Sequence, residues 1–236
     1  MSLDEAFLAS MAVVAGGAVG AAVTYIALLT IFRSHWPRRT GMTARSVLGR
    51  FLIGGLAFLA SWIVQSTVIS FVLAMLLSRS LEDVLRGFLL QFDPCVGISA
   101  VAVSNISMSI ALVKGFLAAL IQTSAKYISA RRETMFINVF NIGVGFGLME
   151  AAFFSIYTYR SVAFGCPVYP VLNSLDLFME RVIGVLFHAI FMYFLIPDSK
   201  GRYIQIAKFV IVVVLHGLID SGIVNYLIKL LLRGAH

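Results

Sequence analysis

His216 and Asp220 stand one helical turn apart inside an apolar run, Val210 to Leu232, whose centre reads VVVLHGLIDSG. The i,i+4 spacing puts imidazole and carboxylate on one helix face, where the acid can orient or charge the ring. Ionisable groups in the middle of an apolar span are costly and point to a functional site. Other apolar runs carry further such residues. They are Gln122 with Lys126, again four apart, then Glu150, and then His188 seven residues after Arg181.

Two chemistries suit this set. In one, His188, His216 and a carboxylate hold a divalent metal such as zinc, and a metal-bound water is the nucleophile. In the other, no metal takes part: a carboxylate activates water while the histidines hold the oxyanion. No HExxH run is present, so neither chemistry is selected by a local motif. The Gly143/Gly145/Gly147 series before Glu150 lies inside a span with no preceding strand. It is therefore a helix-contact surface and not a dinucleotide fingerprint.

The elements that must position these residues are membrane helices. Of the 236 residues, 60% are hydrophobic and 12% charged, about half the roughly 25% charged content of a soluble domain. That composition implies an all-α polytopic bundle in the lipid bilayer, forming a single integral membrane domain over residues 1–236. The net charge of +7 is no nucleic-acid footprint, because its densest stretch flanks apolar spans. Met1 to Phe7 is short and acidic, with no small-residue cleavage site after it, so the first run is expected to remain as a span.

Six spans are expected: Phe7 to Phe32, Phe51 to Leu77, Asn105 or Ser107 to Arg131-Arg132, Phe136 to Tyr159, Met179 to Ile196, and Ile206 to Leu232. Residues 86–106, broken by Asp93-Pro94, read as an interfacial hairpin; were they to cross, the spans would number seven. The loop 33–50 holds five arginines and no acid, which places it in the cytoplasm and the N-terminus outside. The other two strongly basic connections then also fall inside. Cys95 and Cys166 fall in two outside loops, where a disulfide and two separate thiols are both compatible with the sequence. Gln122, Glu150, His188, His216 and Asp220 come from the third to sixth spans, so residues 105–232 read as a four-helix polar core.

At these residues the chain resembles a clan of intramembrane proteases. The clan comprises the CAAX-prenyl-protease and bacteriocin-processing family, the PrsW-like proteases and the YhfC-like family. The matching stretches are GVGFGLMEAAFFSI (Gly143 to Ile156), ERVIGVLFHAI (Glu180 to Ile190) and HGLID (His216 to Asp220). The first two are most similar to YhfC-like proteins. The resemblance implies that Glu150, His188, His216 and Asp220 are the catalytic set, with Gln122, Thr123, Lys126 and Arg181 as its polar surroundings. It also implies peptide hydrolysis by activated water within the bilayer. Where the clan carries a glutamate pair, however, this chain reads LIQTSAKYI, with Gln122 and Thr123 in place of the acids and Lys126 retained. An amide and a hydroxyl cannot act as general base, so the departure implies lost or altered peptidase activity unless Glu150 takes that part.

The same stretches are also similar to the gamma-secretase scaffold subunit named for the anterior-pharynx-defective phenotype. That likeness implies a catalytically degenerate scaffold or assembly subunit whose histidines hold helices together for a partner membrane protein. Two readings therefore stand at this point, an intramembrane peptidase acting on a membrane-protein substrate and a scaffold for a partner subunit. A transporter or proton relay would also place ionisable groups at the midplane, but the sequence shows no internal repeat to support one.

Overall fold

The computed structural model describes residues 3–31, 44–76, 82, 108–133, 135–163, 174–196 and 201–221. The segment 86–106, both cysteines, the turn-rich stretch around Pro167 and Pro170, and residues 222–232 of the last apolar run lie outside the described residues. Among those described, the chain is all-helical. The helices are α1 (Leu3–Ile31), α2 (Ala44–Leu76), α3 (Met108–Ala130), α4 (Phe136–Ala163), α5 (Ser174–Phe194) and α6 (Arg202–Asp220).

Among the described residues, four stretches are long and apolar enough to cross a membrane: Phe7–Ala27, Arg45–Val72, Phe136–Ile156 and Arg202–Asp220. They are consistent with an integral membrane protein. Large apolar side chains on α2, among them Leu52, Leu56, Ile63 and Phe71, point outward and are exposed. In water such a surface would be an aggregation liability; against lipid tails it is the expected exterior.

Three helices begin earlier than their apolar cores suggest. α2 starts at Ala44 instead of Phe51, so Arg45 and Arg50 are helical and only residues 33–43 remain of the expected basic loop. The intervening Ala-Arg-Ser-Val-Leu-Gly-Arg contains no proline and several good helix formers. α5 likewise begins at Ser174, and α6 begins at Arg202 directly after Gly201, whose φ of 116° only glycine adopts readily. Charged residues near a membrane boundary do not end a helix, because their side chains reach to the interface.

The described residues form two compact units. One comprises Met1–Leu59 and Lys126–Pro197, the other Ala60–Ala125 and Asp198–His236. In the first, α1, α4 and α5 pack against one another around Ile137, Phe140, Val144, Val185 and Ala189. The start of α2 lies along α4, with Phe58 set edge-on to Phe146 at 5.4 Å.

Glycines set these approaches. A methyl group on Gly147 would stand 2.9 Å from the Val185 Cα, and one on Gly20 would stand 2.9 Å from the Val182 Cα. Ser10 and Ser155 exchange hydrogen bonds between α1 and α4, each hydroxyl donating to the other's backbone carbonyl, at 3.3 and 2.9 Å. Tyr25 donates to Asn141 Oδ1. In the second unit, α3 and α6 meet at glycine as well: Gly115 packs on the backbone at Gly217 and Ser221, and Gly217 packs on the Phe116 ring. Small residues at both crossings let van der Waals contact replace the missing hydrophobic drive between membrane helices.

These contacts generate a graded prediction. A methyl on Gly145 would lie 2.6 Å from the Phe51 Cα, whereas one on Gly184 meets nothing within 4 Å. Gly145→Ala should lower the stability of the detergent-solubilised protein by about 1–3 kcal/mol. Gly184→Ala should raise it by roughly 0.5–1 kcal/mol. Unfolding titrations of both variants measure the contrast, and equal effects would contradict the packing described.

Candidate active site

Glu150 lies one turn beyond the stretch of α4 that is buried throughout, Ile137 to Gly147. The glycines at 143 and 147 bring α5 close enough for a direct contact. His188 Nε2 and Glu150 Oε2 are 2.5 Å apart, with only 6% and 15% of the two side chains exposed. Arg181, two turns before His188 on α5, sets Nη1 3.9 Å from the same Glu150 oxygen. Its Nη2 binds Glu180 at 2.5 Å, and its guanidinium lies over the Phe154 ring at 4.9 Å. Both contacts to Glu150 fall on Oε2.

Lys126 completes the cluster. Its side chain is fully buried, and Nζ sits 4.4 Å above the centre of the Phe146 ring. Phe146 in turn packs against the His188 imidazole at 5.0 Å between centroids. Lys126 and Arg181 both act electrostatically on the Glu150–His188 pair. The assembly is thus one carboxylate, one imidazole and two cations, with a cation–π contact seating each cation. It can hold an anion or activate a water on the carboxylate. It is poorly suited to a divalent cation, which the lysine and arginine would repel.

The second unit holds the remaining residues singled out from the sequence. His216 is buried, and its Nε2 stands 3.6 Å from Asp220 Oδ2, an ion-pair distance longer than a hydrogen bond. Gln122 is buried and donates from Nε2 to Gln65 Oε1 on α2 at 3.1 Å. Thr123 is fully buried, and its hydroxyl has no hydrogen-bond partner among the described residues. The i,i+4 readings therefore hold as geometry. His216 does face Asp220, and Gln122 and Lys126 both point inward.

The expected polar core divides between the units. Lys126, Glu150, Arg181 and His188 belong to the first; Gln122, Thr123, His216 and Asp220 belong to the second. Among the described residues, no group of three or more His, Cys, Asp or Glu side chains is placed to hold a metal ion.

Sequence reasoning missed Phe146, Phe154 and Gln65 as site members. Phe146 stands between Gly145 and Gly147, and its contacts with Lys126 and His188 depend on helix rotation. Gln65 was legible as a polar residue in mid-span, but its pairing with Gln122 depends on helix rotation, which no spacing rule supplies.

If Glu150 and His188 form one unit, their substitutions should not add. Glu150→Gln and His188→Ala should show a coupling of about 1–3 kcal/mol in a double-mutant cycle of unfolding. Asp220→Asn, at a longer and more exposed pair, should cost under about 1 kcal/mol. No protein-family model, curated protein or solved structure matches this chain, so its geometry is the ground for any reading of function.

Proposed function

We propose that this chain is an intramembrane protease-like protein that hydrolyses a peptide bond of a membrane-protein substrate, with Glu150 as the general base. The observation that carries this reading is the Glu150–His188 contact at 2.5 Å, with both protein partners on one carboxylate oxygen. Glu150 Oε1 takes a proton from water as the oxygen attacks the scissile carbonyl carbon. Arg181, held beside the carboxylate, supplies the donor for the developing oxyanion, and His188 holds the carboxylate in place. The proton then passes to the leaving amide nitrogen as the carbon–nitrogen bond breaks. Lys126 keeps the site's charge balanced while the carboxylate is ionised. His216 and Asp220 belong to the catalytic set that the clan resemblance implies.

A second reading is supported by a separate observation. Gln122, at the place of the clan's first glutamate, is used in an amide–amide bond to Gln65. That is the work of a residue holding helices together. In this reading the same polar network belongs to a scaffold subunit, and a partner membrane protein does the chemistry.

The topology proposed with both readings is six spans, with the N-terminus outside and the loop 33–50 cytoplasmic. Its test uses the chain's own cysteines, Cys95 and Cys166. After mild reduction of intact cells, a membrane-impermeant maleimide should label both; labelling only after lysis would reverse the orientation.

The activity is tested on purified protein in proteoliposomes with a transmembrane peptide substrate. Cleavage should be present in the parent. It should fall by on the order of a hundredfold or more in Glu150→Gln, the usual size of general-base loss, with folding retained. A folded parent that cleaves no member of a transmembrane peptide library, alongside variants that lose stability, would favour the scaffold.

A further inference from the structure

Three arginines of the first unit are exposed and make no ion pair among the described residues: Arg45, in the first turn of α2, and Arg131 and Arg132, directly after α3. They are tied to one level of the molecule by their neighbours. Arg50 Nη2 lies 2.9 Å from Glu133 Oε1, and Asn138 donates to Glu133 Oε2 at 2.7 Å. This latch joins α2, the turn after α3, and the start of α4. It also neutralises Arg50, while Arg131 and Arg132 immediately precede Glu133 in the chain.

Arg45 lies five residues outward of Arg50, about 7 Å along the helix axis at 1.5 Å per residue. A bilayer's polar headgroup layer is roughly 5–7 Å deep on each side of its hydrocarbon core. With the apolar stretch beginning at Phe51, Arg45 therefore stands at phosphate depth. Leu48 and Leu52 continue its face of α2 at i+3 and i+7, and both are more than half exposed. The arrangement presents cations at headgroup level with an apolar stripe running inward beneath them, which matches one molecule with a charged head and an apolar tail.

We infer that Arg45, Arg131 and Arg132, with Leu48 and Leu52 below, form a binding site for an anionic phospholipid, its phosphate on the arginines and an acyl chain along the leucines. The site is independent of any hydrolytic activity. A juxtamembrane arginine contributes about fivefold in affinity for an anionic surface, so three together contribute on the order of a hundredfold.

The full-length protein, delipidated in neutral detergent, is titrated with phosphatidylglycerol, with phosphatidylcholine of the same chains, and with inorganic phosphate, while native mass spectrometry counts bound lipid. Phosphatidylglycerol should bind at least tenfold more tightly than phosphatidylcholine. The triple variant R45Q/R131Q/R132Q should lose that preference, and the triple lysine variant should keep it. Leu48→Ser with Leu52→Ser should weaken the lipid several-fold, a loss that free phosphate would not share. Equal binding of the two lipids would overturn the site, as would an undiminished preference in the folded glutamine variant; that last result would leave the arginines as orientation signals alone. Phosphate competing as well as the lipid at equal concentration would show a free anion to be the ligand and overturn the lipid assignment.

Discussion

Hydrocarbon offers no hydrogen bonds, and that constraint governs what the polar residues of this chain can be. A carboxylate among apolar helices must find a partner within the protein. Glu150 finds His188, with Arg181 and Lys126 supplying positive charge from α5 and from the end of α3. Each member would be a liability alone. Together they form a set whose geometry depends on all of them, which is why a charge placed in the span carries information about its neighbours.

The glycines make that set attainable. Glu150 and His188 sit on different helices, and their 2.5 Å contact requires those helices to approach more closely than leucine or valine would allow. Gly143 and Gly147 remove the side chains that would hold α5 away. The same economy recurs where α1 meets α5 at Gly20 and where α3 meets α6 at Gly115. Packing and polar chemistry are therefore one problem in this protein, since the absence of a Cβ on one face sets the distance at which side chains meet on another.

Much of this was legible before any coordinates. The helical class follows from apolar runs of about twenty residues, and the Gly143/Gly145/Gly147 series predicts a close crossing. Glu150, His188, His216 and Asp220 stood out by depth alone. What spacing could not supply was rotation and grouping. Periodicity puts Gln122 and Lys126 on one face, yet the first bonds to Gln65 whereas the second lies over Phe146. Helix starts were also misplaced, because hydropathy marks where lipid begins and a helix continues past that point until its backbone finds a reason to stop.

The paired hydroxyls of Ser10 and Ser155 carry a consequence for biosynthesis. The two residues are 145 positions apart in the chain, and α1 packs extensively on α4 and α5. At roughly 5–20 residues per second of synthesis, α1 must wait on the order of ten seconds in the membrane before its partners emerge. During that interval its glycine face and its serine are covered by lipid, by the insertion machinery or by a transient neighbour. α1 is thus made well before the helices it packs on, and it settles only once α4 and α5 have followed it.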